Sequence, residues 1–186
     1  MTSTIFGQIK IIPELGISHS SLTLYSASRV IKNEEVNFLV GLNGIVPISD
    51  RLNFSTRLGF VYRENYKWTD LCICPDYLYT SYKHDEFNID MSLNYSFFED
   101  FNLGVGPSFI RKINANIIRK TINDETTRQV GKNYFAINGS LSYKIKFFTL
   151  KLIYLRKLKE EDLIIFRTEG KNRFDFSIAI DVFRKK

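Results

Sequence analysis

Between Phe87 and Phe97 every second residue is apolar: Phe87, Ile89, Met91, Leu93, Tyr95 and Phe97 alternate with Asn88, Asp90, Ser92, Asn94 and Ser96. At about 100° per residue these positions would scatter around a helix, whereas at 180° they sort onto the two faces of a strand. A run of about eleven residues is also what a tilted strand needs to cross the hydrocarbon layer of a bilayer. Near the C-terminus the pattern returns, with Phe174, Phe176, Ile178, Ile180 and Val182 opposite Asp175, Ser177, Ala179 and Asp181.

Eight such segments can be read, at 8–18, 36–48, 52–62, 87–97, 101–113, 134–146, 148–156 and 173–183. Two are imperfect. Pro13 cannot donate to a strand ladder, and Ile153 and Leu155 share a face with Thr149 and Lys151. The links between segments alternate in length. Ser49-Asp50-Arg51, Glu99-Asp100 and Lys146-Phe147 are hairpin turns, whereas the stretches 22–35, 63–86, 114–132 and 157–172 are long and polar. Short turns on one rim and long loops on the other predict an all-β fold. It is an eight-stranded antiparallel up-and-down transmembrane β-barrel, one domain over 1–186, with periplasmic turns, extracellular loops and both termini periplasmic.

Composition agrees with this reading. With 44% hydrophobic and 25% charged residues the chain is not disordered. It has no apolar stretch long enough for a membrane helix, as expected where half of each strand faces a polar lumen. The 15% aromatic content suits interfacial belts. The net charge of +6 does not point to nucleic acid, because Lys and Arg form no single stripe. It suits loops over outer-membrane lipid and lipopolysaccharide, whose phosphates attract such residues. The first residues lack the basic and apolar regions of a secretory signal. A barrel bound for the cell outer membrane needs one, so the expectation is a mature or trimmed segment, with an added initiator Met, whose leader has been removed.

Alternation alone does not say which face meets lipid. A soluble lipocalin-like barrel would turn its apolar face inward around a ligand. The polar face here carries Gly16, Gly41, Gly59, Gly104, Gly106, Ala136 and Ala179 among Asn and Ser, and small residues fit a narrow, filled lumen. It also carries Lys10, Glu14, Arg57, Asp90, Lys112, Lys144, Lys151, Asp175 and Asp181. Charges of both signs in a narrow barrel are expected to pair as a network that plugs the lumen. The rival is a small pore. Lys10 and Asp181 are expected to meet at the seam between the last and first strands.

Three stretches, 38–52, 101–109 and 172–183, resemble the second strand and turn, the glycine-proline fifth strand and the C-terminal strand of a known family. This is the outer-membrane β-barrel domain family common in Bacteroidota, with its PorT-like small barrels. The resemblance implies a porin-like or anchoring membrane protein, usually without known enzymatic activity, and it supplies no catalytic residues. Phe183 stands where such barrels carry a terminal aromatic, but Arg184, Lys185 and Lys186 follow it.

Chemistry-bearing residues are sparse. Cys72 and Cys74 form a Cys-Ile-Cys in the second long link, upstream of His84, Asp85 and Glu86. The spacing is unlike that of structural zinc sites, so two thiols or a labile bridge are expected and no metal. His19, beside Ser18, Ser20 and Ser21, is the one place where rim-sited hydrolytic chemistry could be sought. No phosphate loop or paired carboxylates appear. The expected protein is a monomeric non-enzyme without cofactors, acting through its loops by anchoring, adhesion or contact with an envelope partner.

Overall fold

The alternating segments pair edge to edge until the last strand meets the first. The computed structural model describes residues 9–25, 30–68, 77–121, 124–129, 133–158, 161–163, 166–169 and 172–180. In chain order the strands are β1 (Lys10–Tyr25), β2 (Val30–Pro47), β3 (Leu52–Trp68), β4 (Tyr77–Phe98), β5 (Phe101–Thr121), β6 (Glu125–Gln129), β7 (Asn133–Ile145), β8 (Phe148–Lys157), β9 (Glu161–Leu163), β10 (Phe166–Glu169) and β11 (Asn172–Ile180).

Eight of them, β1 to β5 with β7, β8 and β11, form the wall, each antiparallel to its neighbours. Pairing of β11 with β1, from Glu14↔Ala179 to Ser20↔Arg173, closes it. The fold is an eight-stranded closed antiparallel β-barrel. The three short strands extend it at one end: β6 pairs with the distal part of β5, and β10 continues the pairing of β11 along β1 at Thr23↔Glu169.

At the other end the turns are tight. Ser49 N donates to Leu52 O at 2.9 Å, and the Ser49 hydroxyl accepts from Leu52 N at 3.2 Å. Glu99-Asp100 and Lys146-Phe147 make the other two turns, with Lys146 at φ 55°.

The faces are distributed the opposite way from a soluble protein. Phe38, Val105 and Phe135 are 55, 61 and 63% exposed, whereas Arg57, Asn88 and Asp175 are 1, 0 and 0% exposed. The apolar face therefore points outward. This is the reverse of the lipocalin-like arrangement. Along β4 the apolar band from Phe87 to Phe97 covers about 34 Å of strand, or about 26 Å along a barrel axis at a tilt of ~40°, close to the band height of membrane barrels.

The stretches read as long loops are in large part strand. The first hairpin keeps one register from Lys10↔Ile45 to Tyr25↔Val30, so much of 22–35 is ladder despite its polar composition. The stretches 63–86 and 114–132 hold the distal halves of β3, β4 and β5 and all of β6, and 157–172 holds β9 and β10.

Bulges explain why the alternation ends where the ladder does not. Register shifts between Val61 and Glu64 on β3, and between Lys83 and Asp85 on β4 against β5. On β5, Asn114 sits at φ 53°, and the buried positions step from Ser108, Ile110 and Lys112 to Ala115. An extra residue flips the side-chain parity beyond it, so a period-two reading stops at the bulge while the ladder continues. Cys72 and Cys74 lie outside the described residues.

Candidate functional site: the charged barrel interior

Inward positions of β1, β3, β4 and β11 converge on one guanidinium. Asp90 is the direct cross-strand partner of Arg57, and Arg57 Nη1 donates to Asp90 Oδ2 at 3.1 Å. Arg57 Nε lies 2.9 Å from Glu14 Oε1, and Nη1 and Nη2 donate to Asp175 Oδ2 at 2.9 and 3.0 Å. The Ser177 hydroxyl donates to Glu14 Oε1 at 2.6 Å. All four charged groups are withdrawn from solvent.

One cation cannot balance three buried carboxylates, and a second arginine joins them. Arg173 donates from Nε to Asp175 Oδ1 at 2.7 Å and from Nη2 to Asp175 Oδ2 at 2.8 Å. Its Nη1 reaches Glu86 on the far wall. Glu86 also accepts from the Tyr134 hydroxyl at 2.7 Å, and His84 Nε2 lies 3.1 Å from the same oxygen. Lys157 Nζ stands 4.1 Å from the centre of the Tyr134 ring and Lys112 Nζ 5.6 Å from it. Next to Tyr134 the interior turns apolar, with Ile110, Ala136, Ile153 and Leu155 packed together.

A neutral network joins β4 to β7 across β5. Asn138 Nδ2 donates to Met91 O and Pro107 O at 3.0 Å and to the Ser108 hydroxyl at 2.9 Å, while the Ser92 hydroxyl donates to Asn138 Oδ1 at 2.7 Å. The glycines of β5 make the room. A Cβ on Gly106 would run into the Met91 carbonyl, and one on Gly104 into the Asn94 and Ser140 side chains.

Of the residues expected in the lumen, Glu14, Arg57, Asp90 and Asp175 come together around the guanidinium, and Lys151 is buried. Lys112 lies apart from them, beside Tyr134. Lys10 and Lys144 line a cavity of about 260 Å³ at the turn end, together with Lys151. Asp181, and with it the expected pair with Lys10, lies outside the described residues. The sequence reading passed over Arg173, Glu86, His84 and Tyr134. The signal for the first three was parity: Arg173 shares the face of Asp175, and Glu86 and His84 that of Asn88.

For the hydrolytic reading of the His19 region, His19 faces the side opposite to buried Ser18 and Ser20, which rules out these two as its nucleophile, and its Nε2 is 3.8 Å from Glu34. Among the described residues no group of His, Cys, Asp and Glu is arranged to hold a metal. The interior can fix charge and tie opposite walls together.

No family model matches the chain. No curated protein matches it either. Solved structures do. The attachment invasion locus protein Ail of Yersinia pestis, solved in complex with the heparin analogue sucrose octasulfate, superposes with a TM-score of 0.57 at 8% identity, over 94% of this chain and 99% of that one. Neisserial surface protein A superposes with a TM-score of 0.50 at 9% identity, over 92% of this chain and 96% of that one. At such identities the likeness is one of fold, and the chain is a small closed β-barrel of the architecture that Ail and the Neisserial protein share.

Proposed function

We propose that the protein is an integral, monomeric outer-membrane barrel whose lumen is plugged and whose distal hairpins hold or contact a partner at the cell surface. The single observation that carries this is the inverted distribution of side chains, with Phe38, Val105 and Phe135 outside and Arg57, Asn88 and Asp175 inside. Exposed apolar side chains encircling the wall are stable in lipid and a liability in water. No helix of the described residues is long and apolar enough to cross a membrane. Two neighbours of the same fold are by name an attachment invasion locus protein and a surface protein, and the PorT-like resemblance of 38–52, 101–109 and 172–183 agrees.

Arg57 and Arg173 span the interior from β3 to β11 and from β11 to β4. They occupy the lumen of a barrel whose eight strands leave room for little more than side chains. This favours a plug over a pore and an anchoring or adhesive role over catalysis. Outer-membrane lipid and lipopolysaccharide are then the immediate surroundings, with an envelope protein as the partner of the hairpins.

Two measurements test the reading. Folded into lipid, the protein should migrate differently on a gel before and after boiling, and in a planar bilayer it should show no stable open channel. A freely soluble monomer without heat-modifiable migration would overturn the membrane assignment, and a steady conductance would overturn the plug.

A further inference from the structure

Past the arginine cluster, towards the turns, the lumen is not filled. A cavity of about 260 Å³ lies there, and all eight wall strands contribute to its lining. Three lysines line it: Lys10 from the start of β1, Lys144 from the end of β7 and Lys151 from the start of β8. Lys144 and Lys151 sit on neighbouring strands, through the pairs Lys144↔Thr149 and Ser142↔Lys151. Among the described residues of the lining Asp50 is the only acidic one, so the lysines outnumber it three to one.

Among the described residues none of these lysines forms an ion pair within 4 Å. Arg57 and Arg173 differ in being held by carboxylates at hydrogen-bond distance, whereas of the three lysines Lys151 feels Glu14, Asp90 and Asp175 only from further off. The remaining lining is rich in neutral donors, Asn43 and Asn53 among them. Converging ammonium groups, amide donors and a concave wall form an electropositive pocket, in which low-dielectric sides strengthen attraction for an anion. Lysine, a compact point charge with three donors, suits a phosphate oxygen. Size limits the guest: at about 30 Å³ per water the cavity displaces roughly nine waters, enough for a phosphate group and a small substituent and too little for a polymer.

We infer that the turn-end cavity is a binding site for a phosphate-class oxyanion, held by Lys10, Lys144 and Lys151. The site needs only the barrel fold and does not depend on which membrane the barrel occupies or on what its hairpins contact.

The test uses the whole chain folded in alkyl-maltoside micelles, which carry no phosphate. In one arm inorganic triphosphate is titrated by calorimetry, and in the other the micelles are doped with short-chain phosphatidylglycerol and binding is followed by ³¹P NMR. Lys10→Gln with Lys144→Gln should weaken binding at least ten-fold, while Lys120→Gln on β5 at the far end should leave it unchanged. Both changes lie at the rim, and heat-modifiable migration verifies that each variant folds. Lysine-dependent binding in the triphosphate arm identifies a soluble anion, and in the lipid arm alone a headgroup. Absence of binding in both arms, or an equal loss with Lys120→Gln, would overturn the inference.

Discussion

Arg57 donates from both Nη1 and Nη2 to a single oxygen of Asp175, at 2.9 and 3.0 Å, across 118 residues of chain. The two residues sit on β3 and β11, which are not neighbours in the wall: β1 and β2 stand between them. The contact is a strut through the lumen, and it ties the strand that closes the barrel to one formed early in the chain.

Removing that strut should be costly. Arg57→Met leaves Glu14, Asp90 and Asp175 buried around an apolar group, and an uncompensated buried charge costs about 3–5 kcal/mol. Arg57→Lys should recover only part, since a single ammonium cannot serve three carboxylates in fork geometry. The folded fraction against urea, read from the unboiled gel band, measures both.

The outer face gives an independent prediction. Leu93 is 47% exposed in the middle of the apolar band of β4 and Asn94 points inward. Leu93→Arg should cost about 2–4 kcal/mol of stability in lipid vesicles. Asn94→Ser should cost less, about 1–2 kcal/mol, because it loses hydrogen bonds to Asn53 and Ser55 while keeping a small polar side chain.

Closure at the seam leaves no room for a methyl group. A Cβ on Gly16 would run into the Phe176 carbonyl and Ser177 Cα, whereas one on Gly139 would meet nothing within 4 Å. Gly16→Ala should therefore destabilise by about 1–3 kcal/mol through forced displacement of β1 from β11. Gly139→Ala should stay within about 0.5 kcal/mol of wild type. Parallel refolding yields of the two variants compare them directly.

One turn carries a correctable strain. Lys146, at φ 55°, occupies the left-handed region, which costs a side chain about 1–2 kcal/mol. Lys146→Gly should raise stability by about 0.5–1 kcal/mol after the greater chain entropy of glycine is set against the relief. A higher urea midpoint at unchanged slope would register it.

How far the chain can be read without coordinates depends on where its period holds. Phe87 to Phe97 and Phe174 to Ile180 declare their faces directly, since lipid on one side and a polar lumen on the other impose strict alternation. The distal strands were hidden by the bulges near Tyr62 and Asn114, where parity flips. Glu14, Arg57, Asp90 and Asp175 were legible as inward charges, but not that the three carboxylates share the one guanidinium. Which charges meet depends on how far each strand is staggered against the next around the whole circumference, and that offset is fixed by turns and bulges rather than by any local pattern. Arg173 and Glu86 share the parity of Asp175 and Asn88, but their meeting across opposite walls has no signature along the chain.

β4 and β5 remain paired from Phe98↔Phe101 at the turn to Tyr77↔Thr121 at the distal end, with bulges and with Met91 and Ser92 skipped opposite Gly106 and Pro107. Hydrogen bonds in such a ladder lie across the strand direction. A pull on the distal end, directed along the barrel axis, would therefore strain many of them together in shear instead of peeling them off one at a time. Whatever grips this hairpin would be held by a stiff mechanical mast, its load delivered straight into the barrel wall.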